Sequence, residues 1–375
     1  MSNKDKNNNE KKVIASRMGK VGGQAVLEGV MMKCGDNIAL SVRREDGSIS
    51  VRKMQFRSIR KRVKFFNLPI IRGFVNFIEM MKLSFSTLSD SANMLGLDEE
   101  LEETKFERWL RDKFGRGVLD FMMVLGTVLG VALGVGLFAL LPTYLANVIK
   151  KASPNLESSW FVSLFSGILR IAIFVLYIWL VSFMREIRRT FEYHGAEHKS
   201  IACYEAGLEL TPENAKECTR FHPRCGTSFI FVILIISILI FSVVPSVWPW
   251  YVQSAVKLLM LPLVMGISFE YLMYAGKHDN LATKILSAPG LWMQRITTRE
   301  PDLDQLAVAI TSLKLAMPEE FPDFDPHTYD KSKVETSQTK EEVKETDAEA
   351  KTAVDENSAE TTSESTTTPT EGLTN

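Results

Sequence analysis

Residues 121–141 read FMMVLGTVLGVALGVGLFALL and contain no charged side chain. With a rise of 1.5 Å per residue, a helix over this stretch is about as long as a bilayer's hydrocarbon core, roughly 30 Å, is thick. Three more apolar runs follow, at 160–183, 228–244 and 258–274. We therefore predict an α-helical polytopic membrane protein with four transmembrane helices, and the pattern excludes a soluble globule and a structural fibre.

The charges of the chain are segregated, although its net charge is only −1 and its hydrophobic content is 46%. Residues 331–375 hold 5 Lys and 11 Asp+Glu, while the whole chain has 44 Lys+Arg and 45 Asp+Glu, so the remainder is basic. A tail of this composition cannot bury a core and is predicted to be disordered. Four cysteines are too few for a secreted disulfide scaffold. The Asn- and Lys-rich start has no apolar core of a signal peptide, so we expect no cleaved leader.

Basic residues near the ends of the predicted spans predict their orientation, because cytosolic loops are enriched in Lys and Arg. Arg108 and Arg111 precede the first span, and Arg185 follows the second. The short turn after the third span, 245–251, has no basic residue. Lys150, in the loop after the first span, is a weak opposing signal. We expect both termini to face the cytosol.

The region after the amino terminus has the pattern of a small β unit. Residues 22–32 read as one strand punctuated by glycine, and 38–42 and 49–51 flank Glu45-Asp46-Gly47. Such a turn favours a hairpin because glycine accepts a positive φ. This unit is expected on the cytosolic side.

Two segments near the membrane leave alternatives open. A basic run at 57–64 leads into apolar residues at helical spacing between Ile70 and Leu88, which predicts a helix lying in the membrane interface or packed on the β unit or the bundle. Gly126, Gly130 and Gly134 lie on one face of the first span and allow a close helix contact, either within the chain or in a homo-oligomer.

These patterns divide the chain into a membrane domain with cytosolic parts on both sides. The predicted parts are a disordered N-terminus (1–18), a cytosolic β unit (19–56), basic and amphipathic interfacial helices (57–117), a four-helix membrane domain (118–275) containing a cytosolic loop (184–227), a cytosolic C-terminal segment (276–317) and a disordered tail (318–375). The cytosolic loop carries the chemistry.

This loop concentrates metal-binding residue types. Residues 194–225 contain three of the five histidines and three of the four cysteines. A helix over 188–204, continuing from the second span and ending near Gly207, would place His194 and His198 on one face, where both can bind one ion. In a reducing cytosol, cysteines remain available as thiolates.

The sequence HGAEH at 194–198 looks like the inverzincin motif His-x-x-Glu-His. In that family the two histidines bind zinc and the glutamate acts as a base. The resemblance therefore implies that His194 and His198 are metal ligands and that Glu197 is the catalytic base.

The third ligand is left open by the sequence. Glu270 lies in the fourth predicted span, where an ionisable residue is expensive, and His222 and Cys225 have the spacing of a metal knuckle. His278 and Asp279 follow the fourth span on the same side. Two histidines and one carboxylate would leave a position for water, as in catalytic zinc sites, whereas four protein ligands would make a structural site.

The longer motifs resemble a known family. They are GGQAVLEGVMM at 22–32, HGAEHK at 194–199, HPRCGTSF at 222–229, and PGLWMQ at 289–294 with TTREP at 297–301. These are similar to the YqhQ-like family of bacterial membrane proteins, domain-of-unknown-function family 1385, over 19–317. The family is described as predicted metal-dependent membrane enzymes. The resemblance thus implies the bacterial plasma membrane and a divalent metal, but no substrate.

The leading hypothesis is a zinc-type metal-dependent hydrolase at the cytosolic membrane face, with Glu28 or Arg224 facing the substrate. Its substrate would be a lipid-linked molecule or a peptide bond near the bilayer. The alternative is a non-catalytic membrane scaffold or assembly factor with a structural metal site. The sequence supports neither nucleotide nor nucleic-acid binding, because it lacks a phosphate-binding glycine motif and its basic runs border membrane segments.

A transporter is the least favoured class. The predicted spans hold only Arg170 and Glu270 as ionisable residues, at different depths, and this gives no continuous polar path. We expect Arg170 to snorkel or to pair inside the bundle.

Overall fold

The computed structural model describes residues 17–96, 117–152, 158–275 and 280–330. The described chain is mostly helical, with a small antiparallel sheet near its N-terminus. Arg108, Arg111, His278 and Asp279 lie outside the described residues, as do the first sixteen residues and the acidic tail from 331 onward. The predictions made for them remain predictions.

The sheet contains four consecutive antiparallel strands. The strands are β1 (Val21–Val26), β2 (Gly29–Cys34), β3 (Asn37–Arg43) and β4 (Ile49–Gln55). The hairpin predicted around Gly47 is confirmed as β3–β4, with Arg43 paired to Ile49. The prediction of a single strand over 22–32 is wrong, because the chain reverses between Val26 and Gly29 and β1 pairs with β2. Glu28 takes a φ of 48° in this turn.

The helices follow the sheet. In chain order they are α1 (Ile71–Met94), α2 (Gly117–Val135), α3 (Leu141–Ala152), α4 (Ser159–Val181), α5 (Arg185–Glu205), α6 (Pro212–Glu217), α7 (Gly226–Phe241), α8 (Trp250–Leu259), α9 (Leu261–Ala275), α10 (Leu281–Thr297) and α11 (Leu303–Ala316). A π-helical segment, Gly136–Leu140, joins α2 to α3.

The sheet lies between helices on both faces, because side chains alternate across a strand. Met32 and Ala39 pack in a buried cluster with α5 and α11. Met31 and Leu40 pack on the opposite side with Leu83 of α1. Helix α1 also packs on α9. Helix α1 therefore packs on the sheet and on α9, and its position in the membrane interface stays a prediction.

Fewer helices have the length of a span than the sequence predicts. Leu125–Ala152 and Trp160–Val181 are long and apolar enough to cross a membrane, and α8 with α9 makes a third span if that pair, bent by 48°, is counted as one. The third predicted span corresponds to α7, which has 16 residues and is about 24 Å long. The described chain therefore contains two to three candidate spans.

The helix that carries the histidines is separate from the span before it. Helix α4 ends at Val181, and Met184 takes an extended conformation before α5 begins. The predicted continuous helix is therefore wrong, although α5 does end close to Gly207, which has a positive φ. Beyond this break, α5 packs on strands β1 and β2 of the sheet.

Two expectations about packing change. A Cβ at Gly126, Gly130 or Gly134 would meet nothing within 4 Å, so the described chain makes no close helix contact at these glycines. The prediction of disorder from 318 onward is wrong for 318–330, because Phe321, Phe324 and Tyr329 pack on the main buried cluster.

Candidate metal centre

Three side chains bring their ligand atoms together beside the sheet. His194, His198 and Cys225 each offer one atom, and these atoms lie within 4.8 Å of one another. The two imidazole rings, one helical turn apart on α5, have centroids separated by 4.4 Å. Cys225 caps α7, and its Sγ lies 3.3 Å from His194 Nε2. In tetrahedral zinc sites the donor atoms lie about 3.3–3.6 Å apart, so the cluster fits such an ion after small adjustments.

Backbone carbonyls orient both imidazoles. His194 Nδ1 lies 2.8 Å from the Thr297 carbonyl oxygen, and His198 Nδ1 lies 2.5 Å from that of Arg220. A carbonyl only accepts hydrogen bonds, so each Nδ1 carries the proton and each Nε2 keeps its lone pair. Burial lowers the pKa of His198, which favours the neutral ring. Metal-binding histidines commonly have this outer hydrogen bond.

Gly195 explains how the Thr297 carbonyl reaches the site. A Cβ at Gly195 would lie 2.0 Å from the Arg299 carbonyl oxygen. The Arg299 backbone N–H also donates to the Phe191 carbonyl at 2.9 Å. The segment after α10 therefore lies directly on α5, and only glycine permits this contact at 195.

Glu197 lies on the same helix and is buried. Strand β1 passes so closely that a Cβ at Gly23 would lie 3.1 Å from Glu197 Cγ, and the Gly23 N–H donates to the carboxylate. Burial raises the pKa of Glu197, against the opposing effects of His194, His222 and this N–H. The position and the raised pKa suit a group that accepts and releases a proton.

His222 and Arg224 point to a different carboxylate, that of Glu205. His222 Nε2 lies 3.5 Å from Glu205 Oε2, Arg224 forms an ion pair with the same side chain, and the Gly19 N–H donates to it at 2.8 Å. Burial opposes ionisation of Glu205, but the contacts with His222, Gly19 and Arg224 lower its pKa to about 2. His222 therefore lies beside the three ligands without belonging to them.

Gln294 of α10 fixes the backbone of this loop. Its side-chain amide accepts from the His222 N–H and donates to the His222 carbonyl, both at 2.8 Å. The motif PGLWMQ thus ends in a residue that holds the HPRC segment. The predicted knuckle contributes Cys225, but not His222, to the cluster.

Two predicted site residues lie elsewhere. Glu270 forms an ion pair with Arg72 at the contact of α9 and α1, and it is not among the clustered ligands. Glu28, in the β1–β2 turn, contacts Arg189 and the Tyr193 hydroxyl at the start of α5. Both carboxylates therefore have basic or hydroxyl partners away from the cluster, which argues against Glu270 as the third ligand and Glu28 as a substrate-facing group.

A cleft of about 930 Å³ opens beside the cluster of His194, His198 and Cys225, the candidate metal centre. The clustered side chains and Glu197 line it, together with Arg224. Lys20 and Lys33 also line it, so its described lining has three basic side chains and one carboxylate, that of Glu197. Its apolar wall is formed mainly by α1 and the start of α7, with the side chains Phe77, Met81, Phe85, Leu88, Phe229 and Ile230.

Sequence reasoning missed several groups that support the site. Glu205 lies seven residues after His198, which is two helical turns along the same face of α5, so helical spacing could have identified it. The backbone carbonyls of Arg220 and Thr297 could not be recognised from the sequence, because every residue has a carbonyl. The contact at Gly195 was also hidden, since glycine in a helix does not reveal its neighbour.

Comparisons with known proteins agree with the resemblance drawn from the motifs. A family model described as "Protein of unknown function (DUF1385)" matches residues 68–319. The chain is 36% identical over 293 residues to a Bacillus subtilis (strain 168) protein called "Uncharacterized protein YqhQ", which covers 78% of this chain and 90% of that relative. No solved structure matches the chain.

Proposed function

We propose that this chain, which belongs to the DUF1385 family, is a metal-dependent hydrolase acting at a membrane face. The observation that carries the proposal is the cluster of His194, His198 and Cys225, with both Nδ1 atoms held by carbonyls. Glu197 lies beside this cluster in the same cleft. Family membership supplies no reaction, so the proposal rests on this geometry.

Two imidazole nitrogens and one thiolate are a donor set that suits zinc. Three protein ligands leave the fourth tetrahedral position open, which is typical of catalytic sites. When bound, the ion would supply Lewis-acid chemistry by polarising an ester and lowering the pKa of water. In this proposal Cys225 takes the place predicted for Glu270.

Glu197 would perform the proton transfers. In this proposal it accepts a proton from the attacking water and gives that proton to the leaving alkoxide oxygen. Its buried position raises its pKa above the usual range of a carboxyl group, which favours uptake of a proton by a general base. The Gly23 N–H would hold the carboxylate in place during both transfers.

The cleft favours a lipid over a peptide as the substrate. Its apolar wall from α1 and α7 suits an acyl chain, and side chains such as Phe85, which is 67% exposed, remain uncovered in the described chain. Among the cations of the cleft, Lys20 pairs with Glu320 and Arg224 with Glu205. Lys33 forms no ion pair within the described residues, so it is the cation that suits an anionic headgroup. We therefore expect the hydrolysed bond to be an ester of an anionic membrane lipid.

The finer membrane arrangement is also part of the proposal. Four spans with both termini in the cytosol of a bacterium would place the metal centre on the cytosolic side, where α7 starts at Gly226. Arg185 and Arg188, just after α4, support this orientation. In intact cells, Val247→Cys should then react with an impermeant maleimide, while Glu45→Cys should react only after permeabilisation.

One observation favours the alternative, a scaffold or assembly factor with a structural metal. His222 Nε2 is buried and has no hydrogen bond within the usual distance, and its ring centroid lies 5.7 Å from that of His198. In this alternative His222 would turn from Glu205 towards the cluster and close the site as a fourth ligand. Such a site would have no position for water.

Elemental analysis and cobalt substitution of the purified full-length protein test both functions. The hydrolase requires about one zinc per chain, a cobalt spectrum with sulfur ligation and an exchangeable site, and release of fatty acid from phosphatidylglycerol in mixed micelles. Wild-type protein that contains no metal would refute the hydrolase. Unaltered hydrolysis by the double variant His194→Ala, His198→Ala would refute it as well. Four protein ligands including His222, without hydrolysis, would support the scaffold.

A further inference from the structure

A second cavity lies away from the metal centre, among the apolar helices. It measures about 270 Å³ and is bordered by the π-helical segment, α4, α7 and the bend between α8 and α9. Almost all of its lining is apolar, but Arg170 and Lys257 both reach it. Arg170 lies midway along α4, one of the two candidate spans, and Lys257 lies three residues before the bend at Met260.

The contacts of Arg170 orient its guanidinium without neutralising it. Its Nε donates to the Phe138 carbonyl at 2.9 Å, and Nη1 approaches Ser237 Oγ at 3.4 Å. The group also lies over the Phe241 ring, 5.4 Å from its centroid. Phe138 belongs to the π-helical segment, a distortion often found at functional sites. None of these partners carries a negative charge.

The positive charge of Lys257 has even fewer polar partners than that of Arg170. Only 4% of the residue is exposed, and within the described ranges it forms no hydrogen bond or ion pair. It lies close enough to Arg170 for the two charges to interact. No acidic side chain is among the described residues that border the cavity. Two like charges in apolar surroundings are unfavourable, so intramembrane residues of this kind generally have a partner or a task.

We propose that this cavity binds the anionic group of a membrane amphiphile between Arg170 and Lys257. A phosphate or carboxylate there would neutralise both cations through charge-assisted hydrogen bonds. The volume equals about nine water molecules at roughly 30 Å³ each, which exceeds the need of one small ion. The apolar lining then accommodates the start of a hydrocarbon chain. This inference does not depend on the proposed hydrolase.

Lipid binding by the full-length protein in phosphatidylcholine nanodiscs tests the proposal. The probes are spin-labelled phosphatidylglycerol, for a headgroup phosphate, and spin-labelled stearate, for a free carboxylate. We expect wild type to select at least one of them over labelled phosphatidylcholine. All variants carry Lys33→Met, which removes the cation of the first cleft that could also bind these probes. In this background the double variant Arg170→Met, Lys257→Met should lose about tenfold or more of the preference, and Arg170→Lys with Lys257→Arg should keep most of it.

Lys150→Met is the matched control, because Lys150 belongs to the same helical region but donates to the Ser246 carbonyl at 2.8 Å. It should bind both probes like wild type. A preference that is absent from wild type, that survives the double methionine variant, or that disappears equally in the control would overturn the proposal. Selection of only one probe identifies the source of the anionic group.

Thermal unfolding keeps the proposal testable if the double variant fails to fold. In phosphatidylcholine alone, Lys257→Met should melt at a higher temperature than wild type, because it removes an uncompensated cation. The preferred anionic probe should raise the melting temperature of wild type more than that of Lys257→Met. An equal rise in both proteins would contradict the site.

Discussion

The candidate metal centre and the cavity at Arg170 differ in how many hydrogen-bond partners their buried polar side chains have. At the metal centre, His194 and His198 each have a carbonyl acceptor, and Glu197 has the Gly23 N–H. In the cavity, Lys257 has no comparable partner among the described residues. The side chains of the first site therefore have hydrogen-bond partners within the described chain, whereas those of the second have no countercharge there. Removing the ligand should leave the metal centre folded but should destabilise the cavity.

The largest expected effect is the complete loss of metal binding while the binding of anionic lipid is retained. The double variant His194→Ala, His198→Ala should lose its metal, since it removes two of three ligand atoms, while its preference for anionic lipid stays as in wild type. Elemental analysis and the spin-label measurement check the two parts. His327→Ala, which removes an imidazole that contacts Asp330, is the control and should change neither. Metal retained by the double variant would show that the ion lies elsewhere.

Glu197→Gln should separate chemistry from metal binding. The substitution keeps the shape of the side chain but removes the proton acceptor, so hydrolysis of phosphatidylglycerol should fall by about 10²–10⁴-fold at unchanged zinc content. Glu186→Gln, at the exposed start of α5, serves as the matched control. Equal activity of Glu197→Gln and wild type would exclude Glu197 as the base.

Gly195→Ala should test how firmly the metal centre is organised. The new methyl would meet the Arg299 carbonyl, and forced contacts of this kind cost about 1–3 kcal/mol. We expect a lower melting temperature and weaker zinc binding, since the shift would displace the Thr297 carbonyl. Gly130→Ala, whose methyl meets nothing within 4 Å, should be neutral or slightly stabilising. Identical melting temperatures of Gly195→Ala and wild type would contradict the contact.

The smallest expected effect concerns Glu205 and acid. Its pKa is about 2, below the ordinary 4.5, so the folded state binds this proton more weakly than the unfolded state. The resulting stability is fully present above about pH 4.5 and is lost as the pH falls towards about 2. Thermal unfolding across this range should show a smaller decline for Glu205→Gln than for wild type, with Glu217→Gln as control. Parallel curves for Glu205→Gln and wild type would show that the ion pairs with His222 and Arg224 contribute little.

The sequence predicted best what depends on local spacing. One helical turn between His194 and His198 was enough to place both rings together, and the turn sequence ending at Gly47 was enough to predict the β3–β4 hairpin. The sequence could not identify the third ligand. Hydropathy predicts how deep Glu270 lies in the membrane, but it does not predict which side chains lie beside it. Arg72, the partner it finds, lies 198 residues earlier in the chain.

The second cavity shows a different limit of sequence reasoning. The predicted fourth span, 258–274, includes Pro262, and the helix breaks just before it, between Leu259 and Leu261. Proline in the first turn of a helix is favourable, but it cannot continue the preceding helix. Treating Pro262 as a helix boundary would have assigned Lys257 to the preceding helix, but its proximity to Arg170 is visible only in the folded chain.

The contact between His194 and the Thr297 carbonyl joins residues 103 positions apart. During synthesis the imidazole therefore leaves the ribosome well before its acceptor exists. Until α10 has been translated and its C-terminal end contacts α5, the Thr297 carbonyl cannot hold the His194 ring in the tautomer with a proton on Nδ1. If the cluster holds the proposed ion, tight loading would be a late event in biogenesis, after most of the apolar helices have emerged, and a nascent chain stalled before Thr297 would not retain the metal firmly.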